Sequence, residues 1–309
     1  MFFDNVLITA RQVGILYIMV LVGVICDKIG LFTEKTGRAC TDLLFYIITP
    51  SVIINSFFTR EFTKDSGIKL LIAVGCGFLM HFVAIALNTP LFSRGDRDEN
   101  CVYKYGAIYG NVGYMTLPLT EAILGAEGVF YCSAVIMAFN VVSFTHGVFM
   151  MDKGKGFDAK KLILNPGVIA VLIGLPFFLF KVSLPELITK PVDFIANTQT
   201  PVAMIIFGTF LSNTRLKNIF KNKKIFLVAL SKLIALPAIM IAIYRVIGLS
   251  GTLLTAMAIS SCAPSANNTV LFSAKYGKDA GLASQLVATV SFISIITMPI
   301  IIAAVQTIA

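Results

Sequence analysis

Long apolar runs separated by short polar loops cover the 309-residue chain. A helix needs about 20 mostly apolar residues to cross a bilayer, because each residue rises about 1.5 Å against a hydrocarbon core about 30 Å thick. That rule predicts ten transmembrane helices. The first five lie at roughly 6–27, 36–58, 68–92, 102–124 and 127–150. The second five lie at roughly 163–182, 189–213, 224–247, 252–274 and 279–305. The stretch MDKGKGFDAKK (151–161) reads as a polar linker, dividing the chain into residues 1–150, a cytoplasmic linker at 151–162, and residues 163–309. The opening MFFDNVLITARQVGILYIMV has no basic region before its apolar residues, and no small-x-small cleavage site follows. It is expected to be a first helix of the mature protein rather than a signal peptide.

The halves echo one another. ITPSVIINSFF (48–58) aligns with QTPVAMIIFGTF (199–210), placing Thr49-Pro50 on Thr200-Pro201 at an offset of 151. LGAEGVFYCSAVIMAF (124–139) aligns with YGKDAGLASQLVATVSF (276–292), placing Gly125 and Glu127 on Gly277 and Asp279 at an offset of 152. Two matches in order at nearly one offset suggest an internal duplication. An odd number of spans per half inserts the copies in opposite orientation, the inverted-repeat plan of secondary transporters. Loop charges fit this topology. With loops assigned alternately, seventeen Lys and Arg fall on the linker's side and seven on the other, with Lys232 inside the eighth span. Positive-inside bias then puts the linker in the cytoplasm and both termini outside.

Composition narrows the class further. The chain is 57% hydrophobic and 13% charged, with mean hydropathy +0.87, whereas a soluble domain is about 25% charged. It must use lipid as part of its solvent. The formal charge of +9 reflects short basic loops, so membrane orientation explains it and nucleic acid is not an expected partner. Six cysteines without CxxC spacing read as small apolar residues, and no metal motif is present.

Two predicted spans are interrupted. YGNVGYMTLPLTEAILG (109–125) in span four and SSCAPSANNTVLF (260–272) in span nine each place Asn, small residues and Pro mid-span. Proline removes a backbone donor and clashes with the preceding turn. Irregular backbone survives at membrane depth only when buried in protein or lining a polar cavity. Both breaks are therefore expected to face inward, each offering a helix N-terminus with free N–H groups and about half a positive charge to an anion. The candidate binding residues are Asn111, Gly113, Thr116 and Pro118 from the first break, with Pro264, Ser265, Asn267 and Asn268 from the second. Three intramembrane ionisable residues are candidates for charge or coupling. Lys232 either snorkels to the cytoplasmic face or supplies positive charge to the site. His81 holds the corresponding position in span three at offset 151. Glu121, one turn from the Gly125 loop, is expected to be interfacial.

At these motifs the sequence resembles a known family. GNVGYMTLPLTEAILGAEG (110–128) and FNVVSFTHGVFM (139–150) are similar to the fourth and fifth helices of the auxin efflux carrier family, which includes plant PIN proteins and bacterial malate permeases. TPVAMIIFGTFLS (200–212) resembles its seventh helix, and APSANNTVLFSAKYGKDAGLASQLVATVSFISIITMPII (263–301) its last two. The resemblance covers nearly the whole chain. It implies an all-α membrane fold of ten helices in two inverted five-helix repeats, shared with bile-acid symporters and sodium/proton antiporters. Helices four and nine would cross at their prolines, here Pro118 and Pro264. Helices one, two, six and seven would form a dimerising scaffold, against which the other six move as an elevator. Family substrates are small organic anions such as malate and other carboxylates, carried across the plasma membrane. The short linker points to a bacterial type rather than an auxin carrier.

No cofactor is expected, while proton or sodium coupling stays open. So do a drug/metabolite-type exporter and a sodium-coupled symporter of related fold. An enzyme is not expected, since the spans carry no HExxH, GxSG or paired aspartates.

Overall fold

In a computed structural model of the protein, the described residues are 2–152, 163–182, 184–212 and 222–309. Of the expected linker at 151–162, residues 153–162 lie outside them. The regular elements of the described residues are all helices, with one isolated antiparallel bridge between Gly110 and Ser265. The elements are α1 (Phe2–Lys28), α2 (Lys35–Phe58), α3 (Lys64–Leu91), α4 (Arg97–Ile108), α5 (112–124) and α6 (126–151). After these come α7 (Pro166–Phe180), α8 (Glu186–Ala196), α9 (Gln199–Ser212), α10 (Lys223–Val246), α11 (Gly251–Ser261), α12 (Asn268–Lys275) and α13 (Ala280–Ile308). Six helical stretches among the described residues are long and apolar enough to cross a membrane, and Pro166–Phe180 and Gly251–Ser261 are shorter apolar helices.

The helix ends follow from local chemistry. Asp96 accepts from Glu99 N at 2.9 Å and Asp279 from Leu282 N at 2.8 Å, capping α4 and α13. Thr63 and Ser66 form a reciprocal capping box at the start of α3. Gly125 (φ 63°) and Gly277 (φ 64°), the glycines aligned at offset 152, both take the left-handed conformation that an L side chain resists. Gly125 turns the chain from α5 into α6, at the expected junction of spans four and five. Pro50, Pro118 and Pro237 each follow a wide π turn, at Leu44–Ile48, Val112–Thr116 and Ser231–Ala235 respectively. The widened turn accommodates the proline ring and its missing donor without ending the helix.

Two packing groups can be told apart by their internal contacts, although α1 also lies against α13 and one apolar core joins α2 and α7 to α3 and α6. In the first, α1 lies along α9, and α2 contacts α7, α8 and α9. The α1–α9 seam is very close: a Cβ on Gly23 would lie 2.2 Å from Ile205 O, and one on Gly208 2.0 Å from Val20 O. In the second, α3 packs on α6 and α4, α4 on α10 and α13, and α12 on α13. The outer surface is apolar: Ile18, Leu71, Phe82, Phe180 and Ile296 are all exposed. Tyr103, Tyr105, Tyr109, Tyr131 and Lys232 are buried within. An apolar exterior around a more polar interior suits a protein solvated by lipid.

Candidate transport site at a crossing of two broken helices

Both expected interruptions are present. Helix α4 ends at Ile108, and an extended segment, Tyr109–Asn111, leads into α5. Helix α11 ends at Ser261, and 262–267 lead into α12. The two segments pair antiparallel. Asn111 N–H donates to Pro264 O at 2.7 Å, and Ala266 N–H to Tyr109 O at 2.9 Å. Ser265 Oγ donates to Gly106 O at 2.7 Å. The breaks thus satisfy one another's backbone in the interior, as irregular structure at membrane depth requires.

The crossing differs in place from the expectation. It centres on Gly110 opposite Ser265, eight residues before Pro118. Pro118 lies in the first turn after the wide Val112–Thr116 turn, where a proline is tolerated and need not break the chain. Glycine at 110 follows from the close approach: a Cβ there would sit 2.8 Å from Ala263 Cβ and 3.2 Å from Lys232 Nζ.

A cleft opens beside the crossing, on the side of the middle of α6 and the start of α7. Its lining includes Gly110, Asn111 and Gly113 from the first break, and Ala266, Asn267 and Asn268 from the second. Phe45 and Thr49 of α2, Ile136, Phe139 and Asn140 of α6, and Asn165 and Gly167 complete it. It therefore lies between the two packing groups. Among the described residues, the backbone N–H groups of Gly113, Asn267 and Asn268 donate to no protein acceptor, and the side chains of Asn140, Asn267 and Asn268 make no hydrogen bond. Asn111 Oδ1 accepts from Tyr114 N at 3.3 Å, capping the start of α5. Asn165 Oδ1 accepts from Gly167 N at 2.9 Å, capping α7. The N-termini of the two broken helices, α5 and α12, with the capped start of α7 beside them and a set of free amides, thus face one cavity whose walls carry aromatic rings and no acid or base.

The family described as membrane transport protein matches this chain over residues 8–302. The chain belongs to that family. It is a membrane transporter and not an enzyme, in keeping with the resemblance of its motifs to auxin efflux carriers. An uncharacterized transporter of Methanocaldococcus jannaschii is 24% identical over 296 residues, covering 90% of this chain and 93% of that protein. A Rhizobium meliloti protein named "Putative malonate transporter" is 23% identical over 305 residues, covering 92% of this chain and 91% of that protein.

Within the transporter, the residues singled out from sequence divide into three sets. Asn111, Gly113, Asn267 and Asn268 line the cleft. Pro264 and Ser265 build the crossing, while Thr116, fully buried, donates to Asn111 O at 3.5 Å and supports the turn behind it. Pro118 lies outside the cleft lining. Lys232 does not snorkel: it has no exposed surface, and its Nζ donates to Ile108 O at 3.0 Å. His81, also without exposure, holds Gly77 O at 2.7 Å through Nδ1, with its ring beside Tyr109 and Phe139. Glu121 lies away from the cleft and accepts from Thr200 Oγ1 at 2.9 Å.

Sequence reasoning did not single out Asn140, Asn165, Phe45, Phe139 or Gln199. Asn140 had a signal, as a lone amide in the apolar run AVIMAFNVV. Asn165 had one in Asn-Pro-Gly, a helix start. Gln199 is fully buried between the groups, accepting from Thr49 Oγ1 at 3.0 Å and donating to Gly113 O at 3.1 Å.

Proposed function

We propose that the protein is a secondary transporter of small organic anions, held in the cleft beside the Gly110–Ser265 crossing. The observation that carries this reading is the meeting of two helix N-termini, with unpartnered N–H groups at Gly113, Asn267 and Asn268, in one uncharged cleft. Each N-terminus offers partial positive charge to an oxyanion, and the free amides of Asn140, Asn267 and Asn268 add donors. A cleft with two such poles and apolar walls (Phe45, Ile136, Phe139) suits a short dicarboxylate, one carboxylate at each pole and the carbon chain between them. Malonate and malate are the substrates of choice, and the name of the Rhizobium meliloti relative favours the former. Dipoles and amides bind without trapping, which suits a carrier.

Transport proceeds by alternating access of an elevator type. The scaffold consists of helices one, two, six and seven, here α1, α2 and α7–α9, and it forms a homodimer. The transport domain carries the crossing. The location of the cleft, lined by α2 and the start of α7 on one side and by the crossing on the other, supports this division. Ten spans in two inverted five-helix repeats, residues 1–150 and 163–309, with both termini outside the plasma membrane, complete the reading. It is supported by the aligned motifs and by the bias of basic loops.

The test is uptake by reconstituted proteoliposomes of labelled malonate, malate, citrate, lactate and indole acetate, with and without an imposed potential. Asn267→Ala is expected to lower uptake by about tenfold or more through loss of a charge-assisted donor, with an unchanged unfolding temperature. Absence of uptake for every carboxylate would overturn the proposal.

A further inference from the structure

The crossing contains a cation whose role the anion cleft does not explain. Lys232 sits in the wide turn Ser231–Ala235 of α10 and has no exposed surface. Among the described residues no carboxylate lies within ion-pair distance of it. A charged side chain buried at membrane depth is costly unless its surroundings answer it. Here the answer comes from the main chain. Nζ donates to Ile108 O, the last helical residue of α4 and thus the negative end of that half-helix. The same Nζ abuts Gly110, where a Cβ would stand 3.2 Å from it and 3.3 Å from Ala263 O. A positive group held on a backbone carbonyl beside an unwound segment is the setting in which carbonyl dipoles replace the hydration shell of a monovalent cation.

We propose that Lys232 is the transporter's tethered monovalent cation. Its ammonium fills a main-chain cation site at the crossing, fixes the C-terminal end of α4, and holds the Tyr109–Asn111 segment so that Asn111 and Gly113 face the cleft. Lys232 is thus a positioning residue, one extended segment removed from the anion. It makes a dissolved alkali cation unnecessary for turnover. His81, its counterpart at offset 151, does not share the role: its Nδ1 is bonded to Gly77 O of its own helix, and its Nε2 is buried with no hydrogen-bond partner, so it reaches no carbonyl of the crossing. The inference rests on the carrier reading above for its transport readout, but not for its binding readout.

The experiment compares wild type with Lys232→Ala, whose cavity leaves room for a small cation. Wild-type uptake is expected to be equal in sodium, potassium and N-methylglucamine buffers. Lys232→Ala uptake should fall by about 100-fold in N-methylglucamine and recover by about tenfold or more with sodium, potassium or methylammonium. In parallel, the unfolding temperature of the detergent-solubilised variant should rise by about 3 °C with methylammonium, and that of wild type should not move. A sodium requirement in wild type would overturn the proposal. So would a Lys232→Ala variant that transports normally without small cations, or one that neither recovers nor gains stability with any of them. Should Lys232→Ala fail to fold, the wild-type comparison alone decides. If no carboxylate is carried by wild type, the carrier reading falls while the stability comparison still judges the lysine.

Discussion

Gln199 joins the two packing groups through a single amide. Its oxygen accepts from Thr49 Oγ1 at 3.0 Å, and its nitrogen donates to Gly113 O at 3.1 Å, within the loop that faces the cleft. Nearby, Thr200 donates to Glu121 at 2.9 Å. Any sliding of one group past the other breaks these bonds, so they favour the present conformation. Gln199→Leu leaves the Thr49 hydroxyl and the Gly113 carbonyl unpaired, at a cost of about 1–3 kcal/mol in this conformation. The population should move away from it by about tenfold. A single cysteine at Phe45, in the cleft lining, should then react more slowly with a membrane-impermeant thiol reagent; an unchanged rate would contradict the interlock.

Gly110 and Gly113 should respond oppositely to the same methyl group. At Gly110 a Cβ would stand 2.8 Å from Ala263 Cβ, wedging the paired segments apart. At Gly113 it would meet no atom within 4 Å. Gly110→Ala is expected to destabilise the protein by about 1–3 kcal/mol through overpacking and to abolish uptake. Gly113→Ala should keep the wild-type unfolding temperature and raise KM. Thermal unfolding in detergent, followed by uptake kinetics, separates the two.

Asn140 is 5% exposed and lines the cleft without a hydrogen-bond partner among the described residues. An amide so buried and unpaired is costly unless a ligand or water answers it. Asn140→Leu should therefore leave stability unchanged or raise it slightly, while KM for the carboxylate rises by about tenfold for one lost hydrogen bond to a charged group. A KM equal to that of wild type would remove Asn140 from the site.

Arg60 at the end of α2 pairs with Glu127 of α6 at 2.9 Å and lies over the rings of Phe130 and Tyr131. The two side chains are 27% and 36% exposed, so solvent screens the pair. Arg60→Gln should change stability by less than about 1 kcal/mol. Chemical denaturation at low and high salt checks this, and a larger loss would mean that the pair is shielded in the membrane-bound protein.

The interruptions of spans four and nine are legible in the sequence because Pro, Asn and Gly clustered in apolar surroundings are too costly in lipid unless they build a buried break. The position of the first break is not legible. Pro118 is the conspicuous residue, yet its turn absorbs it; the break is set by the pairing of Tyr109–Asn111 with 264–266, a tertiary relationship. The sequence leaves the placement of Lys232 open for a similar reason, since its partner is a main-chain carbonyl that no side-chain pattern reveals. The aligned Thr49-Pro50 and Thr200-Pro201 motifs do carry spatial information: Thr49 touches Gln199, the residue beside its counterpart. Asn140 and Asn165 escape notice because each lies far along the chain from either break.

The glycine contacts between α1 and α9 have a mechanical meaning. Where Gly23 meets Ile205 and Gly208 meets Val20, main chain rests on main chain, with no rotamer between them to yield. Such a seam neither slips nor hinges without being prised open. On the elevator reading proposed above, these two helices are the fixed rail, and whatever travels during a cycle travels past them.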